Sequence, residues 1–245
     1  MRFHNQNCPL EVGSVANHYP AYKPECINPH AELLWQRSEY NYNICEHIQF
    51  YLPVNEPGTS VKLEWVEDHA NLFDENKDND KLLFVYTDGS LSYDEGTHKT
   101  AYGITAYRSG VEITMEQGAM GESVEVYDAE MKGLEIASRL IHDLFNSMVT
   151  TLLSRIVIST DNTGAIQRIF QGSPGKAQTS SMNFHRCILD LLDKHKELHI
   201  ALMWCPGHFD LEGNERANEL AKSGSHLTPK YPNYKSLPYL GSLHK

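Results

Sequence analysis

From Lys81 onward the chain alternates between short apolar runs and longer stretches of helical period. Leu82-Leu83-Phe84-Val85-Tyr86 is an apolar run closed by Thr87-Asp88-Gly89, which reads as a buried strand followed by a turn. Residues 101–108 and 111–118 read as two more strands, joined at the hairpin signal Ser109-Gly110. Leu134, Ala137, Leu140, Ile141 and Leu144 recur three and four apart, which predicts a helix over 127–145. Ile156-Val157-Ile158 predicts a fourth strand that ends at Asp161. A short helix then passes through Ile166 and Phe170 and breaks at Gly172-Ser173-Pro174-Gly175. A second helix over 180–197 carries Phe184, Ile188, Leu191 and Leu192 on one side. Residues 199–204 predict a fifth strand, closed by Pro206-Gly207-His208, and a last helix covers 212–222. The order β-β-β-α-β-α-α-β-α predicts an α/β fold. An antiparallel meander joins parallel strands in a five-stranded mixed sheet flanked by helices.

Residues 1–60 lack a steady period, and only 31–50 reads as a helix there. Asp74-Glu75-Asn76-Lys77-Asp78-Asn79-Asp80 reads as an exposed linker, so the structured domain is expected over 81–226. Residues 1–80 then form a connector-like, partly irregular segment, and 227–245 a loose, basic and aromatic tail. The 245 residues carry 21 Lys and Arg against 32 Asp and Glu, a net charge of −11. That balance argues against a wide basic footprint for nucleic acid, but an acidic metal site remains compatible with it. No apolar run reaches the roughly 18 residues of a membrane helix, so a helical span is excluded. The first residues lack the apolar core of a secretory signal, and five irregularly spaced cysteines argue against a disulfide framework. An intracellular, non-secreted and monomeric protein of the nucleus or cytoplasm is expected. Cys8, His18, Cys26 and His30 match no usual zinc-knuckle spacing.

Asp88 and Asp161 fall at the ends of two strands expected to be parallel neighbours, where α/β ligand crevices form. Glu130 lies near the start of the following helix, which can lean over the same edge. Each of these acids alone is as easily a turn residue or a helix cap. Together they repel, by about 4 kcal/mol per close pair at an effective dielectric of about 20. A fold tolerates that where a hard, oxygen-loving cation such as Mg²⁺ or Mn²⁺ arrives.

The motifs Thr87-Asp88-Gly89-Ser90, Ala129-Glu130, Ser159-Thr160-Asp161-Asn162 and Trp204-Cys205-Pro206-Gly207-His208 occur in that order. Gly213-Asn214-Glu215-Arg216-Ala217-Asn218-Glu219-Leu220-Ala221 follows. As a set they resemble type 1 ribonuclease H, in the version found in non-LTR retrotransposon polyproteins that also carry reverse transcriptase. The resemblance covers about 82–225. It implies a ribonuclease H-like fold and a metal-dependent endonuclease. Such an enzyme hydrolyses the RNA strand of an RNA·DNA hybrid and leaves a 5′-phosphate and a 3′-hydroxyl. Asp88, Glu130 and Asp161 fall on the family's core metal-binding carboxylates, which serve two Mg²⁺ ions with Mn²⁺ as a substitute. His208 falls on its loop histidine, linked to proton movement or product departure.

The resemblance further implies that main-chain groups at Gly89 and Ser90 meet the 2′-hydroxyl of the RNA strand. Asn162 could add a contact, although Asn after a strand is also a common helix cap. Asn218 departs from the pattern, because the family usually carries Asp there. It keeps an oxygen ligand without the charge, so it is read as a weakened metal ligand. Arg168, Lys176, Arg186 and Arg216 are scattered candidates for phosphate contact, and the basic handle of some relatives is missing from 172–179. The expected partner is the hybrid, with no membrane and no small-molecule cofactor. The alternative is a hybrid-binding module whose catalysis has weakened.

Overall fold

The computed structural model describes residues 23–24, 47–53, 57–94, 96–147, 153–171, 175–230, 232 and 234–242. In chain order the strands are β1 (Lys23–Pro24), β2 (Ile48–Tyr51), β3 (Leu82–Asp94), β4 (Thr97–Arg108), β5 (Val111–Gly121), β6 (Arg155–Thr160), β7 (His199–Trp204) and β8 (Tyr234–Lys235). The helices are α1 (Thr59–Glu75), α2 (Val126–Asn146), α3 (Thr163–Gln171), α4 (Gln178–Lys194), α5 (Glu212–Gly224) and α6 (Leu237–Ser242). None of the described helices is long and apolar enough to cross a membrane.

The main sheet has the order β2-β7-β6-β3-β4-β5. β2, β7, β6 and β3 run parallel, and β3-β4-β5 is an antiparallel meander. This is the expected mixed α/β sheet with one strand more than the five the sequence predicts. The extra strand, β2, overlaps the helix expected over 31–50. Ile48 is buried while Gln49 and Tyr51 are exposed, an alternation that suits an edge strand. Residues 31–46 of that predicted helix lie outside the described residues, as do Cys8, His18, Cys26 and His30.

Period-2 alternation splits the core in two. Leu83 and Val85 of β3, with Ile156 and Ile158 of β6, face a large core made with α2, α3 and α4. Leu82, Phe84 and Tyr86, with Val157 and Ala201, face the other side, where α1 and α5 cover them. Helix α1 is absent from the sequence reading. Its contact residues Trp65, His69, Leu72 and Phe73 have helical spacing, but a buried histidine and the many charges around it mask the apolar stripe. Of the polar stretch read as a linker, Asp74 and Glu75 end α1, and residues 76–80 form the turn that leads into β3.

Strand β3 also runs further than expected. It passes through Thr87-Asp88-Gly89 instead of turning there, because β4 stays paired with it out to Asp94 and Thr97. The predicted hairpin at Ser109-Gly110 is present, with φ of 52° and 70°, as a type I′ turn demands. At the C-terminus, a segment expected to be loose contains β8, paired with β1, and the short helix α6. Ser236 between them is fully buried, and its N–H donates to the Ser123 carbonyl.

Candidate active site

The site forms where the parallel pairing of β3 and β6 stops. The last pair is Thr87 with Thr160, so Asp88 and Asp161 are the next residue on each chain. Asp88 continues the side of β3 that carries Phe84 and Tyr86. β6 ends at Thr160, and the next turn opens α3. Asn162 caps that helix: its Oδ1 accepts from the Ala165 N–H at 3.0 Å. The capping reading of Asn162 therefore describes its oxygen, and its amide nitrogen remains as the donor.

Glu130 arrives from above on α2. The helix starts in a capping box, with the Glu125 N–H donating to Asp128 Oδ2 at 3.1 Å. Two glycines let α2 settle onto β3. A Cβ on Gly89 would lie 2.8 Å from the Glu130 nitrogen and 3.0 Å from its Cδ. A Cβ on Gly133 would lie 3.3 Å from that of Thr87. Gly89 thus makes room for the approach of Glu130, and its N–H donates to Asp88 Oδ1 at 2.8 Å. Ser90 is buried in β3, paired with Ala101.

The loop after β7 closes the third side. The Cys205 N–H donates to the Thr160 carbonyl at 3.0 Å, and Trp204 Nε1 donates to the Asp161 carbonyl at 2.9 Å. Gly207 follows, and a Cβ there would stand 2.3 Å from Asp161 Oδ2. His208 comes next, exposed and with φ of 62°. Its charge favours the ionised form of Asp161.

Asp88, Glu130 and Asp161 each offer a carboxylate oxygen, and these oxygens all lie within 4.8 Å of one another. Burial, and next to it the Asp161 charge, pushes the Asp88 carboxyl up from 3.8 to about 7. Glu130 is pushed well above the usual carboxylate range by burial first, then by Asp161 and Asp88. Burial also raises Asp161, and His208 partly offsets that. A cage of three oxygen ligands, raised by burial and repulsion, fits a hard divalent cation. Cys205 is a buried thiol pushed far up by desolvation and then by Asp161, Glu215 and Asp88, so it is inert.

Helix α5 adds a fourth side. Glu215 acts on Asp88 and Asp161 as a repelling charge, while Lys222 draws Asp88 down. Asn218 sits between them on the same helical stripe and is buried. The sequence singles out Asn218 but gives no role to Glu215, Lys222, Gly133 or Gly207. Only the glycine-histidine pair hinted at the last. Of the phosphate-contact candidates, Arg216 is paired with Glu112 at 3.1 Å and Glu219 at 3.4 Å. Arg186 Nη1 donates to Asn183 Oδ1 at 3.2 Å.

Residues 80–226 match the family model for RNase H. No curated protein matches the chain. Similar solved structures include RNase H1 from Halobacterium salinarum NRC-1, at 16% identity and TM-score 0.42, covering 58% of this chain and 96% of that one. LC11-RNase H1, isolated from compost and solved with an RNA/DNA hybrid, gives 14% and 0.42, covering 58% and 97%. The N-terminal RNase H domain of rv2228c from Mycobacterium tuberculosis, solved as a maltose-binding-protein fusion, gives 13% and 0.39, covering 58% and 94%. The matched stretch exceeds half of the chain and runs from β3 through α5, taking in all three clustered acids, so the chain belongs to the RNase H family.

Proposed function

We propose that this chain is a metal-dependent endonuclease that cuts the RNA strand of RNA·DNA hybrids and leaves 5′-phosphate and 3′-hydroxyl ends. The observation that carries the reading is the approach of Asp88, Glu130 and Asp161 to within 4.8 Å at one sheet edge, inside a ribonuclease H family match. Asp88, Glu130 and Asp161 would hold two Mg²⁺ ions, or Mn²⁺ in their place, with Asn218 contributing a neutral oxygen. Bound Mg²⁺ supplies water activation and stabilisation of the departing 3′ oxygen.

The chain's own residues hold that chemistry in place. Gly89 fixes the height of Glu130, and Gly207 together with Trp204 fixes Asp161. His208, exposed beside Asp161, is placed to carry a proton between the site and solvent. The backbone at Gly89 and Ser90 and the Asn162 amide are the proposed contacts to the RNA strand. The chain acts on the hybrid without a further small-molecule cofactor, as a monomer inside the cell. Its retroelement kinship, and with it an association with reverse transcriptase, is read from the motif set.

The test is cleavage of an end-labelled hybrid with Mg²⁺ or Mn²⁺. Single-stranded and duplex RNA serve as specificity controls, and Asp161→Asn as the inactive control. Cleavage of the hybrid alone, lost in the variant, is expected. Asn218, neutral where the family pattern has an acid, favours a second reading as a hybrid-binding module. Tight hybrid binding with no cutting in either metal would establish that reading instead.

A further inference from the structure

Helix α1 lies outside the stretch that matches the family, yet it touches β3, which carries Asp88, and β7, which neighbours the strand leading to Asp161. Trp65 meets Trp204 edge to face, with ring centroids 5.4 Å apart. Trp204 Nε1 holds the Asp161 carbonyl at 2.9 Å. One turn along α1, the His69 ring is 98% removed from solvent. Its Nε2 lies 3.1 Å from the Tyr86 hydroxyl and its Nδ1 lies 3.3 Å from Met203 Sδ. A thioether carries no proton, so Nδ1 bears the hydrogen and Nε2 accepts from the Tyr86 O–H.

Tyr86 is the pivot. It pairs with Ser159 across the parallel ladder, and two residues further along the two chains stand Asp88 and Asp161. Its ring also fills the place a side chain would take on Gly213, with ring carbons 2.2 and 2.3 Å from where that Cβ would lie. His69 therefore presses Tyr86 against α5, the helix that carries Glu215, Asn218 and Lys222. Nothing in ordinary core packing calls for a polar imidazole here. An apolar side chain would fill the space without leaving a histidine to desolvate.

We infer that His69 and Trp65 are positioning residues. Through Tyr86 and Trp204, α1 sets the separation of Asp88 and Asp161 and so tunes how the acid cage takes up a divalent cation. This rests on the proposed metal-dependent activity for its metal-uptake and kinetic readouts, while the hydrogen-exchange readout is independent of it.

The experiment compares the full chain with His69→Phe, His69→Gln, Tyr86→Phe and the His69→Phe/Tyr86→Phe double variant. Three quantities are read well below each melting midpoint. They are Mn²⁺ uptake by calorimetry, kcat and KM on the hybrid, and amide hydrogen exchange over 86–90 and 159–162. His69→Phe should weaken Mn²⁺ uptake and lower kcat by about tenfold, the low end for lost outer-shell support of metal ligands. KM should stay within about twofold, and exchange in the two segments should rise. Gln carries both an amide donor and an acceptor, so His69→Gln should restore most of the loss. The double variant should be no worse than His69→Phe, because both remove the same bond.

A lowered melting midpoint with unchanged exchange and unchanged Mn²⁺ uptake would overturn the inference and leave His69 as packing alone. A wild-type chain that neither takes up Mn²⁺ nor cuts would defeat the proposed function instead. Hydrogen exchange would still decide whether α1 sets the strand ends.

Discussion

Asp88→Asn removes one of three mutually repelling carboxylates while keeping the shape of the side chain. Asp88 is 7% exposed and its carboxyl is raised from 3.8 to about 7. The fold thus holds the Asp88 proton more tightly than the unfolded chain does. Its contribution to stability is full below about pH 4, falls as pH rises, and levels off just above pH 7. At about 1.4 kcal/mol for each tenfold, the cost at pH 8 is on the order of 4 kcal/mol. Asn is also buried and accepts more weakly from the Gly89 N–H, so about half of that should return as stability. About 2 kcal/mol corresponds to a rise of roughly 4–8 °C in the melting midpoint for a chain of this size. The assay is calorimetric melting in chelator at pH 5 and pH 8, repeated with millimolar Mg²⁺. The variant should melt higher than wild type at pH 8, with a smaller gain at pH 5. Mg²⁺ should raise the wild-type midpoint and leave the variant unmoved. A variant that melts at or below wild type at pH 8 without metal, or a gain that is equal at both pH values, refutes the reasoning.

Gly207→Ala places a methyl 2.3 Å from Asp161 Oδ2, so the carboxylate must move by most of an ångström. Hybrid cleavage should fall at least about tenfold while melting changes little, since ångström-scale misplacement alone costs that much. Asn218→Asp adds a charge to the cage stripe of α5. It should lower the Mg²⁺ concentration for half-maximal cleavage and also lower the metal-free melting midpoint at pH 8, and identical metal dependence would count against the reading of Asn218. Glu135 is 1% exposed and accepts from Lys132 at 2.9 Å, Ser180 at 2.9 Å and Asn183 at 3.0 Å, besides pairing with Arg139. Glu135→Ala strands these donors between α2 and α4 and should cost about 2–4 kcal/mol in chemical denaturation, with cleavage per folded molecule unchanged.

The three acids and the strands that bear them were legible because their signals are local. An apolar run that stops at Asp88, and another that stops at Asp161, needs no partner to be seen. What escaped depends on contacts across the chain. β3 continues past Asp88 only because β4 accompanies it to Thr97, which no run of residues near Asp88 records. α1 hid because its inward face includes His69, whose burial makes sense only once Tyr86 and Met203 stand beside it. β2 carries four residues, too few to outweigh the helical reading of the stretch before it, and Ile48 finds its place only against Ile200. Gly207 lay in plain view, but its role is a distance to Asp161 and not a property of glycine.

The glycines explain how such a cage can exist in a folded chain. Three ionised carboxylates this close would spread apart if their backbones were free to move, since each pair repels by about 4 kcal/mol at an effective dielectric of about 20. The packing of the sheet and α2 brings them together, and positions without a side chain leave room for that approach. Gly89 meets Glu130 across the β3–α2 joint, Gly133 meets Thr87 one turn on, and Gly207 meets Asp161 across the β6–β7 joint. At Gly89 and Gly207 a methyl group would enter the carboxylates' own space, so the lack of a side chain at both positions is what permits the close approach. The joints are stiffened in turn by hydrogen bonds, from Trp204 Nε1 to the Asp161 carbonyl and from the Tyr86 hydroxyl to His69 Nε2. The stored repulsion then has one outlet that leaves the packing intact, which is the arrival of positive charge.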